Sequence, residues 1–202
     1  MYVWHDDWLL RRTEMAIDAD LAIVDPHHHL WLNTDGSRPS YLLDDLHADT
    51  GGGHRVEATV FIECAWGYRT DGAEQLRPVG ETETVAHIAG TSGQSGSAVA
   101  GIVGFADMRL GEAVDEVLEA HINAGAGLFR GVRHATAFDA DSRIHRTHTR
   151  PTAHLMADAA FRSGVERLAP LGLTFDAWLY HPQIPELTAL ARAVPACTFI
   201  LD

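Results

Sequence analysis

One stretch of this 202-residue chain is dense enough in reactive side chains to do chemistry: Ile23-Val24-Asp25-Pro26-His27-His28-His29-Leu30-Trp31. It begins as an apolar strand, and side chains along a strand alternate sides with period two. Asp25, His27 and His29 are therefore expected on one side and His28 on the other, towards a helix layer. Two imidazoles on one side of a strand end can grip a single metal ion, and imidazole suits zinc, iron, nickel and copper. The bland alternative is a polar, solvated strand end. A catalytic zinc site typically takes three protein ligands and keeps a position open for water. His181, in Trp178-Leu179-Tyr180-His181-Pro182, is the candidate third ligand. Asp176, Trp178 and Tyr180 have the opposite parity, so either set can face inwards; placement at a strand end favours His181. A histidine before a proline can equally cap a turn.

A second cluster, Leu128-Phe129-Arg130-Gly131-Val132-Arg133-His134-Ala135, places charge in a segment that otherwise reads as a buried strand. Arginine there is expensive unless paired. Arg133 can hold a substrate carboxylate by a bidentate fork, or it can form an internal ion pair, for instance with Glu63. Arg143, Arg146 and Arg150, with His145 and His148, crowd the polar segment 138–152 that follows; a solvated loop is the default for each. Asp107 and Glu63 are candidates for orienting the histidines. Cys64 reads as a small buried hydrophobe rather than a nucleophile. No Gly-rich phosphate loop and no Gly-x-Ser-x-Gly elbow occurs, which removes phosphoryl transfer and serine hydrolysis.

These residues need a scaffold. Six near-continuous apolar runs, 21–30, 58–66, 99–107, 128–135, 173–181 and 197–201, read as strands covered on both faces, as in parallel sheets. Helical patterns fall between them. Residues 111–124 place Val114, Val117, Leu118, His121 and Ile122 on one face, with Gly125 as a stop. Residues 154–168 and a helix opened by Pro185 follow the same logic; 81–89 and 41–47 are weaker. Segments 33–40, 90–97 and 138–152 read as loops. Alternating strand and helix is the signature of βαβ units.

Composition narrows the function classes. The chain is 46% hydrophobic and 21% charged, ordinary for one globular domain. Its formal charge is -13, from 28 acidic residues against 15 basic ones, all arginine. That argues against non-specific nucleic-acid binding and against anionic membrane surfaces. Two cysteines outside any metal spacing fit a reducing compartment. The acidic segment 1–20 lacks the basic start and apolar stretch of a signal peptide, and no run approaches the ~20 apolar residues of a membrane span. The expectation is a cytoplasmic protein.

Val24-Asp25-Pro26-His27-His28-His29-Leu30-Trp31, Val60-Phe61-Ile62-Glu63-Cys64, Gly101-Ile102-Val103-Gly104-Phe105-Ala106-Asp107 and Phe129-Arg130-Gly131-Val132-Arg133-His134 together resemble the amidohydrolase superfamily. The branch they resemble is amidohydrolase 2, near the dicarboxylate and sugar lactonases. The resemblance implies a (β/α)₈ TIM-type barrel and the opening of a lactone ring in a small, anionic or sugar substrate. It implies catalysis by His27, His29 and His181, which would bind a divalent metal, zinc first, or polarise the lactone carbonyl without one. Arg130, Arg133 and His134 are the expected substrate-binding residues. The family pattern runs on past a sixth strand to a further histidine and a catalytic aspartate on an eighth strand. Here the sixth strand is 197–201, so an N-terminal extension (1–20) and an incomplete barrel (21–202) are expected, with first and sixth strands unpaired and open to self-association. The rival readings are a metal-dependent decarboxylase of the same branch and a non-catalytic fragment.

Overall fold

The computed structural model describes residues 8, 11, 14–145 and 147–202. Most of the expected 1–13 stretch of the N-terminal extension, and Arg146, lie outside the described residues. Six strands form one sheet in the order β1-β2-β3-β4-β5-β6, every pair parallel. They are β1 (Ala22–His28), β2 (Arg55–Ile62), β3 (Ala98–Gly104), β4 (Phe129–Arg133), β5 (Thr174–Ala177) and β6 (Thr198–Leu201). Five helices connect them: α1 (Leu43–Thr50), α2 (Val79–Ser92), α3 (Asp115–Ala124), α4 (Ala159–Glu166) and α5 (Ile184–Ala193). The sheet curls into the wall of a TIM-type (β/α) barrel, open between β1 and β6.

All six apolar runs are strands, because a parallel sheet buried on both faces needs no polar alternation. Their ends are shorter than expected. β5 stops at Ala177, and Tyr180 to Gln183 turn into a single 3₁₀ turn. The helix expected over 111–124 is split: Met108–Val114 is 3₁₀, kinked at Gly111 (φ 59°), and α3 begins only at Asp115. The helix expected over 154–168 is likewise a 3₁₀ turn followed by α4, whose Asp158 caps the Phe161 N–H at 2.9 Å. α2 runs to Ser92, into the stretch expected as loop.

The core lies between sheet and helices. Phe61, Ile102, Val132 and Phe175 from the strands meet Val85, Val117, Leu118, Phe161 and Leu190 from the helices, all fully buried. The face turned to the barrel axis is sparser, and at the open edges Val24 and Leu201 are 61% and 64% exposed. No helix among the described residues is long and apolar enough to cross a membrane.

Candidate active site

The first strand carries an irregularity that alternation could not foresee. Asp25 pairs with Thr59 and His28 with Phe61, so three steps on β1 match two on β2. The extra residue is a bulge at Pro26–His27. Neighbours in register share a face, so Asp25 and His28 both turn to the helix layer with Thr59 and Phe61. Asp25 is thereby removed from the histidine pair it was expected to join; its carboxylate accepts the His27 backbone N–H instead (3.1 Å). His28 is buried against the Phe61 ring, and burial lowers its pKa to about 4.

His27 and His29 do converge, as their spacing implied. Their Nε2 atoms stand 3.2 Å apart. His29 Nδ1 lies 2.7 Å from the Ile62 carbonyl oxygen, which only accepts, so Nδ1 carries the proton. His27 Nδ1 lies 2.8 Å from Asp202 Oδ1 and donates to it. The two Nε2 atoms therefore face one another: with one proton between them they share a hydrogen bond, and with both rings neutral they present two lone pairs. With both rings neutral the pair can take a cation, and its outer nitrogens are held as those of metal-ligating histidines usually are. The spacing also suits zinc: two Zn–N bonds near the tetrahedral angle place their nitrogens about 3.3 Å apart. Burial, aided by the charges of Arg133 and His27, lowers the His29 pKa to about 4, so the ring is neutral near pH 7.

Behind the pair stands a buried charge relay. Arg133 donates through Nε to Glu63 Oε1 (2.9 Å), through Nη2 to the Glu63 carbonyl (2.5 Å) and through Nη1 to Asp202 Oδ2 (2.9 Å). Burial works against the Asp202 carboxylate, but the hydrogen bonds from His27 and Arg133 outweigh it and hold the pKa at about 2. Asp176 is the register partner of Arg133 on β5. It accepts from the Thr174 hydroxyl (3.1 Å), and burial, then the charge of Asp202, raises its pKa to about 6. The Arg133 guanidinium also lies over the Trp178 ring, 5.1 Å from its centre.

Several expectations are corrected here. Phe175 and Ala177 belong to the helix-side core, so Asp176 and Trp178, not the His181 set, face the axis. His181 follows the end of β5 and is exposed at the start of the 3₁₀ turn. Among the described residues no three His, Cys, Asp or Glu side chains gather closely enough to hold a metal, so the expected His27–His29–His181 triad is not formed. Arg130 sits exposed at the opposite end of β4, on the carbonyls of Gly127 and Phe129, away from the mouth. His134 is fully buried between the Phe105 and Phe161 rings and accepts the Met108 N–H, and burial lowers its pKa to about 4. Arg133 takes the ion-pair alternative with Glu63. Asp202 was the residue missed: one carboxylate at the end of an apolar strand, whose only signal was that position.

The segment 138–152 folds back over the strand ends. Thr149 donates to the Ala135 carbonyl (2.7 Å), and His148 Nε2 approaches Glu63 Oε2 at 3.7 Å. A cavity of about 560 Å³ opens there, lined among others by Tyr68, Arg77, Phe105, Arg109 and His148. A larger one, about 720 Å³, runs along the free edge of β1 beside α1 and is lined by His27, His28 and His29. The smaller cavity lies at the C-terminal ends of the strands, where barrel enzymes place their chemistry, but the histidine pair itself lines only the larger one.

Comparison with known proteins agrees with this architecture. The family profile described as Amidohydrolase matches residues 24–202. An uncharacterized protein of Sinorhizobium fredii, y4mH, is 32% identical over 203 residues; the match takes in 91% of this chain and 62% of that protein. An amidohydrolase of Burkholderia multivorans, solved with bound zinc, is similar in fold (TM-score 0.59, 23% identity, 89% of this chain and 56% of that one). Amidohydrolase 2 from Bifidobacterium longum subsp. infantis is similar at TM-score 0.53 and 16% identity, over 90% of this chain and 61% of that one. The chain thus spans less than two thirds of the length of each.

Proposed function

This chain belongs to the amidohydrolase family, and on that premise we propose that it works as a hydrolase opening the ring of a small lactone that carries a carboxylate or sugar substituents. The observation that carries the reading is the convergence of two imidazole nitrogens, His27 Nε2 and His29 Nε2, at 3.2 Å. The zinc bound by the Burkholderia protein of similar fold supports zinc as the ion they would hold. Such an ion would supply Lewis-acid polarisation of the carbonyl and a more acidic water.

The chain's own residues set the stage for that chemistry. The Ile62 carbonyl and Asp202 each engage an Nδ1 atom, so the Nε2 atoms are the ones left to meet an ion. Arg133 keeps Asp202 ionised and in place. Asp176, with a pKa near 6, is suited to take a proton from the attacking water and return it to the ring oxygen. The substrate would enter beside His148, with Arg77 on the cavity wall to meet an anionic group. The free thiols of Cys64 and Cys197 support a reducing, cytoplasmic setting.

The test is acid release from carboxylated and neutral lactones by the zinc-loaded protein, beside His27→Ala and His29→Ala. Ring opening that both substitutions abolish supports the proposal. Release of carbon dioxide from unsaturated acids, without ring opening, would make it a decarboxylase. Zinc binding with no turnover of either kind would leave a binding protein.

A further inference from the structure

Both histidines take their orientation from one short piece of chain, the end of β2. Ile62 offers its carbonyl to His29, and Glu63 offers carbonyl and carboxylate to Arg133, which passes the constraint through Asp202 to His27. The last bond tying this piece to the sheet is from the Glu63 N–H to the Val103 carbonyl (2.8 Å). Beyond it the chain leaves the ladder and turns sharply. Ala65 sits at φ 62°, the left-handed region that a residue with a Cβ rarely occupies unless its surroundings impose it.

What imposes it is Glu81, on the first turn of α2. A single oxygen, Oε1, accepts the N–H groups on both sides of Ala65: Cys64 at 3.0 Å and Trp66 at 2.7 Å. Glu81 is 1% exposed, unusual for a glutamate on a helix. The helix is pressed onto the chain it clamps, since a Cβ on Gly80 would come within 2.6 Å of the Gly67 carbonyl oxygen and 2.7 Å of the Arg69 nitrogen. Burial raises the Glu81 pKa to about 8, so near pH 7 the carboxyl is neutral and a glutamine has the same shape and charge.

We infer that Glu81 is the positioning residue of the histidine pair: by holding the 64–66 turn it fixes Ile62 and Glu63, and through them the outer nitrogens of His29 and His27. The inference rests on the proposed role of that pair, but it concerns the chain's own hydrogen bonds and is read without turnover. In the metal-free protein the two Nδ1 protons, bound to Asp202 and to the Ile62 carbonyl, give low-field imidazole signals. Glu81→Ala is expected to broaden or shift both and to weaken zinc binding roughly tenfold or more, the size of effect that groups orienting metal-ligating histidines show. Glu81→Gln keeps the acceptor and is expected to retain both signals, with zinc affinity within about twofold of the parent. Ala65→Gly in the Glu81→Ala background relieves the left-handed strain and should recover part of both readouts. Where Glu81→Ala does not fold, Glu81→Asp, one methylene shorter, carries the same measurements. Parent-like imidazole signals and zinc affinity in Glu81→Ala or Glu81→Asp, whatever the melting temperature, would reduce Glu81 to a structural residue and overturn the inference. Absence of zinc binding by the parent protein would count against the proposed function, and the imidazole signals would still decide the role of Glu81.

Discussion

Arg133 has three nitrogens and all of them are engaged: Nε and Nη2 by Glu63, Nη1 by Asp202. A guanidinium so occupied has no free fork for a substrate carboxylate. The Glu63 carboxylate is buried with it, so removing the arginine strands it. Breaking a buried pair in this way typically costs about 3–5 kcal/mol, far more than an exposed pair is worth. Arg133→Met is therefore expected to lower the urea midpoint markedly and to reduce kcat/KM by the same factor for carboxylated and neutral lactones. The measurement is a pair of progress curves beside a denaturation curve. A rise in KM confined to the carboxylated substrate, with unchanged stability, would return Arg133 to the substrate-binding role first expected of it. The sequence could show that an arginine in an apolar strand needs a partner, and it offered Glu63 as one; it could not show Asp202, which is 69 residues away.

At the scale of elements, β4 and β5 press together at Gly131. A Cβ there would lie 2.1 Å from Thr174 Oγ1 and 2.8 Å from the Thr174 carbonyl oxygen, inside contact distance of backbone that cannot rotate away. Gly131→Ala is expected to destabilise by about 1–3 kcal/mol, the usual range for overpacking. It should also push the Thr174 hydroxyl off Asp176, removing a hydrogen bond that favours the carboxylate and moving the acid limb of the pH–rate profile upwards. Parent-like stability would mean that the two strands separate freely. The strands themselves were legible because runs such as 99–107 are apolar without alternation, as a doubly covered sheet requires. Side-chain direction near strand ends was not. The bulge at Pro26–His27 turns Asp25 away, and the early end of β5 at Ala177 leaves His181 on a turn. Both depend on register between strands, which no single segment encodes. Glu81 was invisible for a related reason: a glutamate in a helical pattern reads as a solvated residue until its helix is packed against a turn.

For the molecule as a whole, the shifted groups combine into a pH dependence of stability. His28, His29, His121 and His134 all fall from 6.5 to about 4, in each case chiefly through burial. Between those values the unfolded chain binds protons that the folded chain does not, so stability rises with pH up to about 6.5. Glu81 and Asp176 work the other way, because burial raises them to about 8 and about 6 from their ordinary 4.5 and 3.8. There the folded chain holds the extra proton, and stability falls as pH rises through the folded value. Four histidines outweigh two carboxyls below about 6.5, and above it Glu81 alone is left among these six. Stability should therefore climb from about pH 4.5 to a maximum near 6.5 and decline towards about 8, with Asp202 adding a further loss only as pH falls from 3.8 towards 2. Urea midpoints across this range measure it directly. Glu81→Gln, which cannot ionise, should remove the alkaline decline and leave the acid limb intact. A midpoint that stays level below about 6.5 would mean the four imidazoles are not held neutral by burial, and an alkaline decline that survives Glu81→Gln would place its origin in another group.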